Sequence, residues 1–261
     1  MPYLAKILLY PIKSLDGVEV ESVKVLASGA LDYDRGFAIV DEQGKFVNGK
    51  RHAKIHLLRA QFSILNRTLS LQVPNTDSPQ VFHLDEKPVA LEATLSDFFG
   101  FAVRLVQNSL TGFPDDTKSP GPTVISTATL TEVASWFPGM SVVEMRRRIR
   151  ANLEIDGVPP FWEDRLFSSE SDGTILFRVG DVDFFGINPC QRCVVPTRDP
   201  DSGAAYPNFQ KIFVQQREAN LPDWVALSRF HHFYRLSVNT RLPASVAGKI
   251  LQIGNKIEIF T

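Results

Sequence analysis

Two cysteines separated by two residues are the first candidates for chemistry in this sequence. Cys190 and Cys193 flank Gln191 and Arg192, and they are the only cysteines in 261 residues. A thiolate is a nucleophile, a redox centre or a soft metal ligand, and a neighbouring arginine favours the ionised form. The spacing is compatible with a redox-active dithiol, with two ligands of a zinc site, or with two buried cysteines that do no chemistry.

The residues around the cysteines weigh against each of these alternatives. A thioredoxin-like dithiol opens a helix, whereas residues 194–197 (VVPT) predict a continued extended chain. Arg192 and the polar loop at 197–203 (TRDPDSG) count against a purely structural role. A zinc site needs four ligands. The histidines that could complete such a set lie outside compact zinc-finger spacing: His52, His56, His231 and His232.

A second candidate site is the arginine-rich stretch at residues 145–155 (MRRRIRANLEI). If it is a strand, alternation puts Arg146, Arg148, Arg150 and Asn152 on one face. The residues facing the core are then Met145, Ile149, Ala151, Leu153 and Ile155. Guanidiniums on one face repel one another unless acidic partners or a bound anion intervene, and phosphate suits the planar fork of arginine. Two interpretations stay open: an anion site, or a salt-bridged face with Glu144, Glu163 and Asp164 as partners.

Basic residues also stand at two predicted strand ends. Lys13 and Ser14 follow Pro11 after the first predicted strand, and Arg35 precedes the strand at 36–40. A basic residue at a strand end is usually solvated, so neither position alone indicates a ligand. The sequence has no phosphate-binding glycine loop, no dinucleotide-binding fingerprint and no nucleophile elbow, which excludes the commonest nucleotide-binding and hydrolase classes.

The charge balance and the cysteine count restrict the compartment and the partners. The chain carries 28 basic and 29 acidic side chains, for a net charge of −1, so no overall field favours nucleic acid or an anionic membrane. No apolar run approaches the roughly 20 residues of a membrane span, and the N-terminus lacks the features of a secretory signal. Two cysteines are too few for the disulfide framework of a secreted protein. The sequence therefore predicts a cytoplasmic protein with no nucleic acid and no membrane as partner.

Short apolar runs with alternating or β-branched character predict strands throughout the first half. They cover residues 4–10, 18–26, 36–40, 45–47, 62–65, 69–73 and 102–106. Asp41-Glu42-Gln43-Gly44 predicts a hairpin loop whose glycine takes the left-handed conformation. Residues 95–100 predict a short helix ended by Gly100.

A stretch rich in turn formers, residues 111–122, is the best candidate for a domain boundary. After it the sequence predicts a strand at 123–125 and a helix that begins at Ser126 or Thr127 and continues to about Trp136. A strand-to-helix turn of this kind can bind an anion. Further strands are predicted at 175–179, 183–187, 234–239 and 257–260.

In chain order, these segments resemble the MOSC family, named for the C-terminal domain of molybdenum cofactor sulfurases, in its form with an N-terminal β-barrel domain. The organisation is similar to that of the amidoxime-reducing components and their bacterial relatives. The resemblance covers essentially the whole chain and is most specific at residues 190–203 (CQRCVVPTRDPDSG). The supporting motifs are Tyr10-Pro11-Ile12-Lys13-Ser14, Asp34-Arg35-Gly36-Phe37, Ile125-Ser126-Thr127-Ala128 and Arg150-Ala151-Asn152.

The resemblance and the strand count together predict a mainly β fold with a few helices (α+β). Two β-barrel-like subdomains are expected to pack together with a cofactor crevice between them. They are residues 1–118, the N-terminal MOSC-associated β-barrel domain, and residues 119–261, the MOSC domain. Lys13 and Arg35 of the first half should then lie near Cys193 of the second half.

The resemblance also implies a cofactor and its ligands. Cys193, rather than Cys190, would bind the metal of a molybdenum cofactor (Mo-molybdopterin), and a protein sulfur suits a soft, redox-active metal. From the same resemblance we expect molybdenum ion binding and pyridoxal phosphate binding. Asp199 is a candidate catalytic proton donor, although a turn-forming role is the more ordinary one for it. The residues expected to hold pterin and phosphate are Lys13, Ser14, Arg35, Ser126, Thr127, Arg148, Arg150 and Asn152.

The expected activity is that of a molybdenum-dependent oxidoreductase that reduces small N-hydroxylated compounds: amidoximes, hydroxylamines or N-hydroxylated bases. Relatives commonly have Arg-Pro-Asn where this chain has Arg150-Ala151-Asn152, which removes a backbone restraint but keeps both polar side chains. The sequence shows neither the membrane anchor nor the iron–sulfur domain of some relatives. A separate electron donor, a ferredoxin or a flavin or haem reductase, is therefore expected.

Two other functions remain open. The first is a carrier or sulfur-transfer module that binds the molybdenum cofactor without turning over a substrate, since the family takes its name from a sulfurase appendage. The second is a zinc-stabilised binding domain.

Overall fold

The protein is mainly β with a few helices, as predicted. The computed structural model describes residues 1–260, and over that range it contains fifteen strands and four α-helices. No helix in this range is both long enough and apolar enough to cross a bilayer. The strands are β1 (Tyr3–Leu9), β2 (Val18–Val20), β3 (Ser22–Lys24), β4 (Phe37–Asp41), β5 (Arg59–Ser63), β6 (Thr68–Gln72), β7 (Gln80–His83), β8 (Val103–Gln107), β9 (Val124–Ser126), β10 (Leu153–Asp156), β11 (Ile175–Val179), β12 (Val182–Gln191), β13 (Arg235–Arg241), β14 (Ile250–Gln252) and β15 (Ile257–Phe260). The helices are α1 (Val89–Phe99), α2 (Thr127–Ser135), α3 (Val142–Ile149) and α4 (Phe209–Ala219).

The largest sheet joins the two ends of the chain. Its eight strands run in the order β15-β11-β12-β13-β9-β10-β1-β2, and only β9 and β10 pair in parallel. Buried Leu4, Ile7 and Leu9 of β1 belong to the main hydrophobic core, which this sheet covers. A single bridge between Tyr3 and Lys256 brings β1 back towards the start of β15. The sheet therefore curls, but no sheet of residues 1–260 is a closed barrel.

The first half of the chain contributes to two parts of the fold. Strands β1 and β2 extend the large sheet, and β3 pairs with β14 of the second half. In contrast, β4 pairs with β8, and β5, β6 and β7 form a three-stranded sheet. These last five strands and α1 enclose a second core that includes Ile12, Ile39, Leu69 and Leu95. The predicted division at residue 118 therefore does not separate the sheets.

Most predicted elements are present, with shifted ends. Helix α1 ends at Gly100, which has a left-handed φ of 81°, as predicted, but the helix begins at Val89 rather than near residue 95. Gly44 has a φ of 74° in the predicted hairpin loop. The strand predicted at 45–47 is wrong, because that segment forms only one bridge, from Phe46 to Val40. The extended chain predicted after Cys193 is also wrong, since residues Val195–Thr197 form a short 3-10 turn.

The strand predicted over residues 145–155 is wrong in its first half. Ser141 caps α3 by accepting a hydrogen bond from the Glu144 amide at 3.1 Å, and Arg150, with a φ of 59°, ends the helix. β10 begins only at Leu153. The missed signal is the Ser-x-x-Glu start at residues 141–144, which is typical of a helix N-terminus. The predicted core residues are nevertheless buried, because the helix and the following strand both pack against the interior: Met145, Ile149, Ala151, Leu153 and Ile155.

Candidate functional site

A cavity of about 460 Å³ lies where segments of the two halves meet. It is lined by residues from before residue 118 and from after residue 119. Cys193 lines it together with most of the predicted cofactor-binding residues: Lys13, Ser14, Arg35, Arg148, Arg150 and Asn152. That these side chains bind a cofactor stays a prediction.

Cys193 reaches the cavity because the chain leaves the large sheet just before it. Strand β12 ends at Gln191, and the Arg192 amide still donates to the Tyr234 carbonyl at 3.0 Å. The chain then enters the 3-10 turn, and the Val195 amide lies 3.5 Å from the Cys193 Sγ atom, to which it donates. The thiol is therefore held at the end of a rigid strand, where a ligand in the cavity can reach it.

The arginine between the two cysteines contacts Cys190 rather than Cys193. The Arg192 Nη1 atom lies 3.2 Å from the Cys190 Sγ atom, and its Nη2 atom donates to the Ile149 carbonyl. Both thiols are half-buried and free, and both line the cavity. The two sulfurs consequently have different surroundings: Cys190 has a guanidinium donor, and Cys193 has a backbone amide.

Two guanidiniums stack on the ring of Tyr10 at one side of the cavity. The Cζ atoms of Arg150 and Arg35 lie 4.1 Å and 5.0 Å from the ring centroid, in range for cation–π attraction. Arg35 is paired with Asp34 and donates to Asn152 Oδ1 at 3.3 Å. Burial opposes the charge of Arg35, but Asp34 and Asp115 more than offset it, so its pKa is raised.

Arg150 differs from the neighbouring arginines in having no carboxylate partner. Among residues 1–260, its Nη2 atom donates to the Leu15 carbonyl at 2.7 Å. Burial lowers the pKa of Arg150; the nearby charge of Arg35 acts in the same direction and Tyr10 acts against it. A half-buried cation of this kind attracts an anion, because bound negative charge replaces the solvation that partial burial removed.

The other arginines of the run are salt-bridged, so the salt-bridge interpretation is confirmed for them. Arg148 pairs with Glu144, one of the predicted partners, at 2.6 Å. Two partners were not predicted: Glu154 for Arg146, and Asp201 for Arg147, each at 2.6 Å. Arg148 also lines the cavity, but its guanidinium is used by Glu144 and by the Pro196 carbonyl.

Ser126 and Thr127 are not among the residues that line the cavity, and their contact with a cofactor stays a prediction. Ser126 is fully buried as the N-cap of α2, where its Oγ atom accepts from the Thr129 amide at 3.1 Å. Thr127 donates to Glu154 Oε1 at 2.9 Å. The strand-to-helix turn exists as predicted, but its polar groups are used to begin the helix.

Asp199 also lies outside the set of cavity-lining residues. Its Oδ1 atom accepts from Ser202 Oγ at 2.8 Å and from the amides of Asp201 and Ser202. Burial raises its pKa, but these hydrogen bonds and Arg148 outweigh burial, so the pKa is lowered. An ionised carboxylate that closes a turn is a poor proton donor, and the turn-forming alternative is the one that the geometry supports.

Two cavity residues were missed by the sequence analysis. Asp115 accepts from Lys13 Nζ at 2.6 Å, in a turn-rich segment that gave no reason to single it out. His56 was considered only as a zinc ligand, but it lines the cavity, and its Nε2 atom is buried with no hydrogen-bond partner among residues 1–260. Within the same range, no group of three or more His, Cys, Asp and Glu side chains has the arrangement of a metal site.

Comparison with known proteins gives two family matches that divide the chain. The MOSC N-terminal beta barrel domain matches residues 1–109, and the MOSC domain matches residues 123–245. The first relative, molybdenum cofactor sulfurase 2 of Culex quinquefasciatus, is 25% identical over 77% of this chain and 31% of its own length.

Two further relatives match over a shorter stretch. Molybdenum cofactor sulfurases 3 and 1 of Aedes aegypti are 34% and 36% identical over 29% and 28% of this chain, and over 10% of their own lengths. The chain thus spans less than a third of the length of the curated relatives that it matches.

Proposed function

The chain belongs to the MOSC-domain proteins that carry an N-terminal MOSC β-barrel domain, and on that premise we propose that it is a molybdenum-cofactor-dependent reductase of N-hydroxylated compounds. The observation that carries the proposal is that Cys193 and the half-buried, carboxylate-free Arg150 line the same cavity. One supplies a soft metal ligand and the other a charge that suits phosphate. A cytoplasmic location is part of the proposal.

The residues of the cavity fit the molybdenum cofactor. Its phosphate would be held by cations at one side, from Arg150, Arg35 and Lys13, with Ser14 and Asn152 beside them. Its metal would take Cys193 as its protein ligand, since a thiolate suits a soft, redox-active metal, and residues 1–260 hold no group of three or more His, Cys, Asp and Glu side chains arranged around a metal. The zinc-stabilised alternative has no such set of protein ligands in this range.

The chemistry divides between the bound group and the chain. When bound, the molybdenum cofactor supplies two-electron redox chemistry. Reduction of an N–OH group takes two electrons and two protons, breaks the N–O bond and releases water. The chain holds the metal through Cys193 and holds the anionic tail through its basic side chains. Asp199 does not enter this scheme as a proton donor, so the protons come from solvent. The electrons come from a separate ferredoxin or flavin or haem reductase.

Pyridoxal phosphate fits the same cavity less well. That cofactor forms a Schiff base with a lysine amine. The two lysines that line the cavity, Lys13 and Lys50, both lie against Asp115, at 2.6 Å and 3.6 Å. Both amines are thus near a carboxylate, which favours their protonated, non-nucleophilic form, and the proposal keeps the pterin.

Molybdenum and pterin analysis of wild type, Cys193→Ser and Cys190→Ser, all made in a host that produces molybdenum cofactor, tests the proposal. We expect stoichiometric metal and pterin in the wild type, loss of metal in Cys193→Ser, and retention in Cys190→Ser, which removes a thiol from the same cavity. The loaded wild type should reduce benzamidoxime with a strong chemical electron donor. Loss of metal in both variants, or in neither, would contradict the role of Cys193.

A second candidate is a carrier or sulfur-transfer module that binds the cofactor without substrate turnover. The observation that favours it is the similarity to proteins named molybdenum cofactor sulfurases, of which this chain covers less than a third. In that case the loaded protein would release cofactor to an apo-enzyme and would leave benzamidoxime unreduced under the same conditions.

A further inference from the structure

His56 stands at the point where the two halves of the chain meet beside the cavity. It belongs to the 3-10 turn Ala53–Leu57 of the first half. A Cβ atom built on Gly49 would lie 2.9 Å from the His56 Nε2 atom and 3.2 Å from Val195 Cγ2, so these three residues converge on one spot in the cavity wall. The loop that follows Cys193 also packs here, since a Cβ atom on Gly203 would lie 3.4 Å from the His56 Cβ atom.

Val195 connects this spot to Cys193, the proposed metal ligand, both because it follows Cys193 closely in the chain and because the two residues share a hydrogen bond. Val195, which shares the wall with His56, donates its amide to Cys193 Sγ at 3.5 Å. The proposed phosphate-binding cations Lys13 and Arg35 are contacted by other residues, Asp115 and Asp34. His56 is therefore a polar group that lines the same cavity as Cys193 and lies near Val195, the residue that donates to Cys193 Sγ.

The Nε2 atom of His56 is poised for a ligand. It is buried and has no hydrogen-bond partner among residues 1–260. A buried polar atom without a partner is unfavourable, and a bound group that forms the missing hydrogen bond removes that penalty. Gly49 packs against this nitrogen, and any larger residue at position 49 would place its Cβ atom 2.9 Å from it.

The surrounding charges keep the imidazole neutral. Burial and the guanidiniums of Arg150, Arg198 and Arg59 lower the pKa of His56 to about 4, and Asp16 only partly opposes them. At neutral pH the ring thus has one N–H donor and one nitrogen acceptor. Arg198, which has no carboxylate within salt-bridge distance among residues 1–260, repels a cationic ligand and tolerates an uncharged one.

We propose that His56 positions the substrate: its Nε2 atom forms a hydrogen bond with the N-hydroxyl or amino group of an uncharged N-hydroxylated compound beside Cys193. The inference rests on the proposed reductase function and names the residue that recognises the substrate. An amidoxime is uncharged near neutral pH, whereas the amidine produced by its reduction is a cation. The arginines around His56 therefore favour the substrate over the product.

The test uses matched histidine variants of the molybdenum-loaded protein, with benzamidoxime as probe. His56→Leu removes the hydrogen bond, His56→Gln keeps a neutral polar group, and Gly49→Ala leaves the imidazole but places a methyl group against Nε2. The control is His52→Leu. The His52 Nε2 atom is also buried without a partner in the described range, but its ring packs against Phe101 and does not line the cavity.

Two readouts are combined: KM and kcat with a chemical electron donor, and the imidazole nitrogen signals of 15N-histidine-labelled protein as benzamidoxime is added. We expect KM to rise about tenfold in His56→Leu and in Gly49→Ala, which is the loss of one hydrogen bond. His56→Gln should restore part of the difference, and His52→Leu should match the wild type. Molybdenum content equal to that of the wild type shows that each variant is folded and loaded. In the wild type, the His56 signals should shift and the His52 signals should not.

The outcomes separate this inference from the function on which it rests. Turnover by the wild type with an unchanged KM in His56→Leu would overturn the role of His56 and leave the reductase function standing. A shift of the His56 signals without turnover would support the contact and overturn the reductase function. Neither turnover nor a shift would overturn both.

Discussion

The Nζ atom of Lys13 lies 2.6 Å from the Oδ1 atom of Asp115. The amine is buried and also donates to the Phe113 carbonyl at 2.9 Å, and Lys50 Nζ lies 3.6 Å from the same Asp115 oxygen. Burial raises the pKa of Asp115, but the two lysines more than offset burial, so the pKa lies below its usual range. Asp115 thus places its own negative charge where Lys13 would contact an anionic ligand.

We expect Asp115→Asn to bind inorganic phosphate more tightly than the wild type. The carboxylate competes with an added anion for Lys13, and its removal frees the amine and reduces repulsion of the anion. The gain should be roughly fivefold to tenfold in affinity, about the effect of one charge-assisted hydrogen bond. Calorimetric titration of cofactor-free protein at low ionic strength measures it.

Asp116→Asn is the matched control for this prediction. Asp116 lines the same cavity and loses the same charge, but its side chain contacts Asn239 at 3.4 Å rather than a lysine. If the two variants gain the same affinity for phosphate, the net charge of the cavity, and not the contact with Lys13, sets that affinity. An unchanged affinity in Asp115→Asn would refute the competition.

Part of the site could be predicted from the sequence because neighbouring strands bring its motifs together. Tyr10 to Ser14 and Asp34 to Phe37 each adjoin a strand, and the bridge from Ile12 to Phe37 holds them side by side. Cys193 follows a long strand of alternating apolar residues. Such patterns are local, so they can be detected without knowledge of the fold.

The rest could not be predicted because it depends on contacts between distant segments. The run at 145–155 has the alternation of a strand, but the cap at Ser141 begins a helix, and only the left-handed Arg150 turns the chain into β10. His56 and Asp115 have no local motif. They become part of the site only when residues from the second half, such as Val195 and Arg150, close the cavity around them.

We predict that the aromatic face of Tyr10 stabilises the protein through cation–π contacts with two guanidiniums. Arg150 and Arg35 both stack on it, and its hydroxyl donates weakly to the Ala151 carbonyl at 3.4 Å. Tyr10→Leu should lower the free energy of unfolding by roughly 2 kcal/mol or more, since the two guanidiniums lose a favourable surface. Tyr10→Phe, which keeps the face, should lie within about 1 kcal/mol of the wild type in urea denaturation. Equal losses in the two variants would assign the effect to the hydroxyl.

Gly186 is predicted to be indispensable to the large sheet. A Cβ atom on it would lie 1.6 Å from the Leu166 carbonyl oxygen, which is backbone and cannot move aside cheaply. Gly186→Ala should therefore lose roughly 3 kcal/mol of stability or fail to fold. Gly36→Ala is the control, because nothing lies within 4 Å of its Cβ position and its φ is not positive. Similar thermal transitions in the two variants would contradict the close approach.

Glu163 is a buried carboxyl group outside the cavity. Its Oε2 atom accepts from Thr129 Oγ1 at 2.9 Å, and its Oε1 atom is buried without a partner among residues 1–260. Burial, together with the neighbouring Asp164, raises its pKa to about 7 from an ordinary value of 4.5. The folded protein therefore keeps a proton on Glu163 at pH values where the unfolded chain has released it.

The difference between the folded and unfolded pKa of Glu163 determines how the stability of the protein changes with pH. The stability that the protonated Glu163 contributes is fully present below about pH 4.5 and is lost as the pH rises to about 7. Glu163→Gln, which is neutral at every pH, should be more stable than the wild type at pH 8 by up to roughly 3 kcal/mol and should lack this loss. Asp164→Asn is the contrast: it leaves the buried Arg217 without its carboxylate, so stability should fall at both pH 5 and pH 8. Urea denaturation at the two pH values measures both variants, and a wild-type pH dependence retained in Glu163→Gln would mean that Glu163 is already ionised in the folded protein.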